Sequence, residues 1–363
     1  MDRMASNVQE DRPQSCLCTS AGIDGFAAVY AALKGFYGSS MTVIGCDARP
    51  DAYGLYLADK GYRVPRLDAP DFAEALIRIA TQEDCRVIYP LSPLDQEYFA
   101  AHCGVFEDHG LRVIVSDLDA VLTANDKYRL YERCREAGLP VAAYTPLDDP
   151  SSLDDALRAL GYPERPVVFK PARGSGGRGL AIVREGASIF ASIHQRSGPL
   201  EMSPAELSQS LDRLGWEKGK GMLCEYLPGS EYSVDVLSRH GTSLVSVVRQ
   251  RHTSLGGTAW HAEVIDDAEL RQLGEAVARE LRLSYTSNVQ LRRNAQGAPC
   301  VMEVNPRTPG TIGLTVQAGV NMPALAVELA LGRHVPKEFS IRYGMRIMRY
   351  FGGHYHDNAL LSS

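Results

Sequence analysis

The chain has 363 residues, with 38 Lys and Arg against 44 Asp and Glu for a formal charge of −6, and 45% of its residues are hydrophobic. This is the composition of an ordinary globular protein of two to three domains, and it excludes a chain too polar to build a core. No basic cluster is present to neutralise a nucleic-acid backbone, no uncharged apolar run reaches the roughly 18–20 residues of a membrane span, and the polar start MDRMASNVQEDRPQSC is unlike a secretory signal, so a cytoplasmic protein with neither nucleic acid nor membrane as partner is expected.

Residues 1–14 are polar and expected to be disordered. From CLCTSAG (16–22) the chain alternates apolar and amphipathic segments: strand 41–47, helix 71–84, strand 85–91, helix 95–110, strand 111–117. That rhythm predicts a parallel sheet with crossover helices. The turn TSAGIDGFAAVYAAL (19–33) carries glycines at a helix start, but it lacks a full dinucleotide fingerprint. A tight packing turn is the plainer reading, and an anion held at the helix start is the alternative.

A helical stretch follows at 117–140, ending at Gly138 and Pro140, then a linker (146–155) and a helix to about 160. PVVFKPARGSGGRGLAIV (166–183) reads as strand, glycine-rich loop, strand, and 185–220 as polar and helical. Strands are expected over 222–238 and 241–251, a helix over 267–283, a hairpin over 286–307 and a closing helix over 322–332. The eight cysteines sit mostly singly in apolar segments and read as buried thiols, with no zinc spacing around Cys16 and Cys18.

The 33 glycines exceed the usual share of about 7%, and their placement is informative. In Arg173-Gly174-Ser175-Gly176-Gly177-Arg178-Gly179 the backbone can approach a ligand closely and turn N–H groups toward oxyanions, while Lys170, Arg173 and Arg178 add positive charge. The pattern suits a phosphate cover but is not a Walker loop, because no Gly-Lys-Ser/Thr follows.

Downstream, strand alternation in Glu303-Val304-Asn305-Pro306-Arg307 puts Glu303 and Asn305 on one face, and Gln290 in the preceding strand offers a third oxygen. A few oxygen donors beside phosphates are how Mg²⁺ is usually held. Arg307 would lie where negative charge develops. Between these motifs, Cys224-Glu225-Tyr226-Leu227-Pro228-Gly229-Ser230-Glu231 breaks a strand at Pro-Gly, leaving backbone groups for an adenine edge and Glu231 for ribose hydroxyls. Arg249, Arg251 and His252, in VVRQRHTSLGGTAWHAEV, lie where an acidic substrate is expected to be gripped, with a locally hydrogen-bonded histidine at a strand end as the equal alternative for His252.

In this order the segments resemble the ATP-grasp superfamily, closest to the branch that looks like the synthetase halves of carbamoyl-phosphate synthetase large subunits. The resemblance implies an ATP-grasp fold of α/β and α+β class: a disordered start (1–14), an N-terminal parallel α/β domain (15–120), a central small domain with the glycine loop (121–222), a C-terminal domain (223–345) and a tail (346–363). It also implies ATP with Mg²⁺, Mn²⁺ being an alternative. Lys127 and Lys170 would meet the phosphates together with Gly174, Ser175, Gly176 and Gly177. Glu225, Leu227 and Glu231 would form the adenine and ribose pocket, and Gln290, Glu303 and Asn305 the metal positions. Arg307 and Lys170 would be catalytic.

The expected activity is an ATP-dependent carboxylate–amine ligase working through an acyl phosphate, with small-molecule carboxylate and amine substrates and a homodimer as a compatible assembly. Bicarbonate or carbamate activation and a non-catalytic nucleotide-binding regulator are the alternatives.

Overall fold

The computed structural model describes residues 15–147, 149–174, 179–194, 200–213, 220–255, 257–350, 352, 353 and 355. The first sheet contains β1 (Ser15–Thr19), β2 (Thr42–Asp47), β3 (Lys60–Arg63), β4 (Cys85–Tyr89) and β5 (Arg112–Val113), all parallel in the order β3-β2-β1-β4-β5. The edge strand β3 is not anticipated by the sequence reading, because only its two central residues are buried. The helix expected over 95–110 is two, Pro93–Ala101 and Cys103–Glu107. Ser92 starts the first with a capping box to Asp95 and a proline at N1.

The helical stretch expected over 117–140 also divides, into Leu118–Asn125 and Lys127–Glu136. Asp126 is extended at the break, and its carboxylate accepts from the backbone N–H groups of Tyr128 and Arg129. This break sets Lys127 at a helix start.

The second sheet runs β6-β10-β7-β8-β9, from β6 (Tyr144–Pro146), β7 (Val167–Pro171), β8 (Ala181–Val183), β9 (Leu200–Met202) and β10 (Gly221–Glu225). The short β9, parallel to β8, interrupts the region expected to be wholly helical. A separate apolar core, including Leu153, Leu157, Phe169, Leu207 and Leu211, lies under the helices of this layer.

The third sheet is antiparallel, in the order β15-β14-β11-β12-β13-β16. Its strands are β11 (Glu231–Arg239), β12 (Thr242–Leu255), β13 (Thr258–Ile265), β14 (Tyr285–Arg293), β15 (Pro299–Asn305) and β16 (Arg346–Met348). Period-2 alternation gives it two different faces. Val234, Val236, Val248, Val289 and Leu291 pack under the helix Ala268–Glu280. On the other face Leu237, Val245, Val247 and Val264 join a core that includes Phe26, Val29 and Leu33 of the first domain and Leu325 and Val327 of the helix Met322–Ala330.

The strand β13 and the helix Ile312–Gln317 are not announced by the sequence pattern. Within 346–363, expected as a tail, Arg346–Met348 pairs with β13 and extends the third sheet.

Candidate active site

The polar end of the third sheet is built by register. Ser233 pairs with Gln290, Gln290 with Glu303, Asn288 with Asn305, and Glu231 with Arg251, so these side chains share one face. A cavity there is lined by Ser233, Arg251, Asn288, Glu303, Asn305 and Arg307, among others. Asn305 donates to the Glu303 carboxylate (3.2 Å), and Arg307 donates to the amide oxygen of Asn305 (3.3 Å) and to the Thr308 carbonyl (3.1 Å). The Arg307 Nε is buried and has no protein partner.

Two lysines from the middle of the chain belong to the same electrostatic set. Burial lowers the pKa of Lys127 from the ordinary lysine value, the Glu303 carboxylate opposes that shift, and Lys170 reinforces it. Lys127 Nζ donates to the Gly174 carbonyl (2.8 Å) and its backbone N–H to Ala172 (2.8 Å), which fastens the root of the glycine loop to the start of the helix Lys127–Glu136. Lys170, buried on β7, donates to the Tyr131 hydroxyl (3.0 Å) and lies 5.3 Å from that ring's centre. Burial also lowers the pKa of Arg307, against the pull of Glu303.

Glu225 closes β10, and its backbone N–H donates to Ala143 (2.8 Å). Leu227 is buried in an apolar cluster with Val168, Ile182 and Cys224, with Tyr226 and Met302 packed against it. Glu231 begins β11 and is ion-paired to Arg251 at 2.7 Å. Ser175, Gly176 and Gly177 lie outside the described residues.

Four residues expected to meet substrate or metal have partners within the chain. Arg249 is only 1% exposed: its guanidinium donates to the fully buried Asp235 (2.6 Å) and to the Thr311 hydroxyl, so it does not offer a fork to an acidic substrate. Asp235 also accepts from Asn288 (2.7 Å) and Thr315 (2.5 Å), which makes this a support beneath the cavity floor. His252 turns to the opposite face, its ring 4.5 Å from that of His261 and its Nε2 3.6 Å from Glu263.

Arg251 does line the cavity, but its fork is committed to Glu231, to Gln290 (2.7 Å) and to the Gly257 carbonyl (2.6 Å). Gln290 accepts from Arg251 through its side-chain oxygen, as Asn305 does from Arg307. At the glycine turn (19–26), Tyr53 accepts from the Ala27 N–H (3.2 Å) at the start of the helix Phe26–Tyr37 and donates to the Ile23 carbonyl (2.7 Å).

Ser233, Asn288 and Thr311 line the cavity and were not singled out from the sequence. Counting in twos from Glu231 and back from Gln290 would have found the first two. Thr311 carries no comparable pattern.

Comparison with known proteins bears on this arrangement. Residues 217–350, which hold β11–β16 and the whole Glu303–Arg307 motif, match the family described as ATP-grasp in the biosynthetic pathway with Ter operon. The chain carries an ATP-grasp domain. Residues 16–114, the first sheet and its helices, match the PylC-like N-terminal domain, so a domain of that family precedes it.

Among curated relatives, the chain is 25% identical over 264 residues to the carbamoyl phosphate synthase large chain of Halobacterium salinarum, covering 65% of this chain and 24% of that one. It is 30% identical over 148 residues to the formate-dependent phosphoribosylglycinamide formyltransferase of Salmonella paratyphi C, covering 40% and 35%. The chain thus spans about a quarter and a third of these relatives.

The fold is shared with solved structures. The biotin carboxylase domain dimer of Hydrogenobacter thermophilus 2-oxoglutarate carboxylase, in complex with MgADP, ADP and bicarbonate, superposes with a TM-score of 0.69 at 18% identity, covering 93% of this chain and 74% of that one. The ADP complex of N5-carboxyaminoimidazole synthetase from Staphylococcus aureus gives 0.67 at 15% identity, covering 90% and 80%. Lys127 and Lys170 lie between the two matched spans.

Proposed function

We propose that this protein is an ATP-dependent ligase that joins a small carboxylate substrate to an amine through an acyl phosphate, releasing ADP and phosphate. The observation that carries the reading is the convergence of Glu303, Asn305 and Arg307 at the end of β15 with Lys127 and Lys170 from the preceding layer. The relatives, a carbamoyl phosphate synthase and a formate-dependent formyltransferase, support it.

The donor set fits a hard divalent cation. Glu303 supplies a carboxylate in contact with a neutral amide, beside Asn305 with its own oxygen, and oxygen ligands of this type suit Mg²⁺. Glu303 and Asn305 would hold the ion, and when bound it would neutralise charge on the phosphate oxygens.

The remaining work falls to the chain's own residues. Lys170, fixed by Tyr131, and Lys127, fixed by Gly174, place two ammonium groups for the nucleotide phosphates. Arg307 keeps an unpartnered Nε for charge that grows on the transferred group. Leu227 and its apolar neighbours offer a surface for the base. Positioning and charge neutralisation, without a covalent enzyme intermediate, are sufficient for this chemistry.

The test is release of ADP from ATP with pools of carboxylates and amines. Amine-dependent release is expected, falling at least about 10²-fold in Glu303→Ala with the circular dichroism unchanged. Arg307→Ala should lower kcat far more than it raises the KM for ATP, since its partner charge develops during transfer. Bound ATP with no ADP release from any pool would sink the ligase and favour a regulator. Release that requires bicarbonate instead of an organic acid would select the second reading, which the bicarbonate-bound structural neighbour favours.

A further inference from the structure

The strand β15 ends at Asn305, and the next helix begins at Ile312. Between them the chain runs Pro306-Arg307-Thr308-Pro309-Gly310-Thr311, in which two prolines have no N–H to donate. Among the described residues, Pro306, Arg307 and Thr308 form no backbone-to-backbone hydrogen bond. The segment that carries Arg307 is therefore held by side chains.

Two anchors do this. At the far end the Thr311 hydroxyl accepts from Arg249. In the middle the Thr308 and Tyr89 hydroxyls share a buried hydrogen bond of 2.7 Å, and Tyr89 is the last residue of β4, in the first domain. Burial raises the pKa of Tyr89 against the opposing bond from Thr308, so the phenol keeps its proton. The first domain also abuts the segment at Gly25, where a Cβ would stand 3.3 Å from the Gly310 Cα.

Arg307 depends on the middle anchor. Its guanidinium donates to the Thr308 carbonyl at 3.1 Å and to the Asn305 side-chain oxygen at 3.3 Å. Both bonds are longer than the usual 2.9–3.0 Å or so, and they hold the arginine only as firmly as their acceptors are held. Asn305 is fixed in the ladder opposite Asn288. Thr308 has left the ladder, and its hydroxyl bond to Tyr89 is what sets the place of its carbonyl.

We propose that Tyr89 is a positioning residue: through Thr308 it holds the Arg307 guanidinium ready for the transferred group, so that the first domain takes part in the reaction without touching the nucleotide. The inference rests on the ligase reading for the charge that Arg307 meets. Anchoring Arg307 before that charge develops removes a reorganisation that would otherwise accompany the chemical step.

The experiment uses the full chain and two readouts. Hydrogen exchange of the Arg307 side-chain N–H groups, followed by nitrogen-15 NMR with Arg307→Lys to identify the signal, needs no turnover. Exchange should be at least about fivefold faster in Tyr89→Phe and in Thr308→Val, and within about twofold of wild type in Thr308→Ser, which keeps the hydroxyl. In ADP release, Tyr89→Phe and Thr308→Val should each lower kcat about 10- to 100-fold with the KM for ATP within about twofold, and the double variant should lose little more than either alone. Thr308→Ser should restore turnover. Wild-type exchange in Tyr89→Phe overturns the proposal, as does a loss of kcat in Thr308→Ser equal to that in Thr308→Val. Should Tyr89→Phe fail to fold, the contrast between Thr308→Val and Thr308→Ser decides in the same way. A wild type that releases no ADP from any pool overturns the ligase reading, while faster exchange in the variants would still uphold the anchor on Arg307.

Discussion

Arg249 shows how far one residue's role can depart from its appearance. An arginine near a cationic, polar stretch suggests a hand for substrate, yet this one is sealed beneath the cavity against Asp235, Thr311 and, through Asp235, Asn288 and Thr315. Removing one partner of a buried ion pair leaves a charge without its counterpart, at a cost of about 3–5 kcal/mol. Arg249→Met should therefore lose about that much in urea unfolding, and Arg249→Met with Asp235→Asn should regain part of it. A loss below about 1 kcal/mol in the single variant would mean that Asp235 finds another cation or water.

The face on which Glu303 and Asn305 stand could be read from spacing alone, because alternation in a strand is local. Which arginine faces the ligand could not be, since Asp235 and Thr311 meet Arg249 only after three strands and a helix have come together. The same holds for Gln290: its residue type suggested a ligand, and its hydrogen-bond partner Arg251 lies 39 positions away.

Among elements, the short helix Gly54–Leu57 is pressed against the first sheet more closely than side chains would allow. A Cβ on Gly54 would stand 2.1 Å from the Ala21 carbonyl oxygen, one on Gly61 1.9 Å from that of Leu55, and one on Gly45 2.7 Å from that of Gly54. Three glycines from β2, the helix and β3 thus permit one close approach. Gly54→Ala should cost at least about 1–3 kcal/mol in thermal or urea unfolding, because the obstructing atoms are backbone. An unchanged melting curve would show the helix free to move outward.

This packing helps to explain which elements were legible. Strands β1, β2 and β4 are apolar runs buried on both faces and separated by amphipathic helices, so their pattern announces a parallel sheet. The strand β3 keeps only Gly61 and Tyr62 buried and β16 is three residues at an edge, too short for periodicity to register. The strand β13 was hidden by polar and aromatic residues, Trp260, His261 and Glu263, which are only half-buried and interrupt the apolar alternation.

Across the whole molecule, the first domain and the ATP-grasp domain share a core. Leu237, Val247 and Val264 of the third sheet and Leu325 and Val327 of the helix Met322–Ala330 pack in one cluster with Phe26, Val29 and Leu33, and Tyr89 meets Thr308 in a buried hydrogen bond of 2.7 Å. Each such apolar side chain is worth about 1.5–3 kcal/mol when fully buried. A fragment of residues 15–120 should then expose that face, bind a hydrophobic dye and fail to unfold cooperatively in urea. A sharp, reversible transition for the fragment would show that the first domain is self-sufficient. The parallel α/β character of the first part could be foreseen from its alternating strands and helices. That the parts would share one apolar cluster could not, since packing between distant segments leaves no periodic trace.

That shared cluster also sets a clock. Its buried members extend from Cys16 to Ala330, so the innermost contacts of the earliest strand wait for residues made roughly three hundred positions later. At roughly 5–20 residues per second, the wait is about a quarter of a minute to a minute. For that interval the nascent first domain presents an unfinished apolar surface, and the parallel β1–β2–β4 framework must persist in the cell without the helix that will cover it.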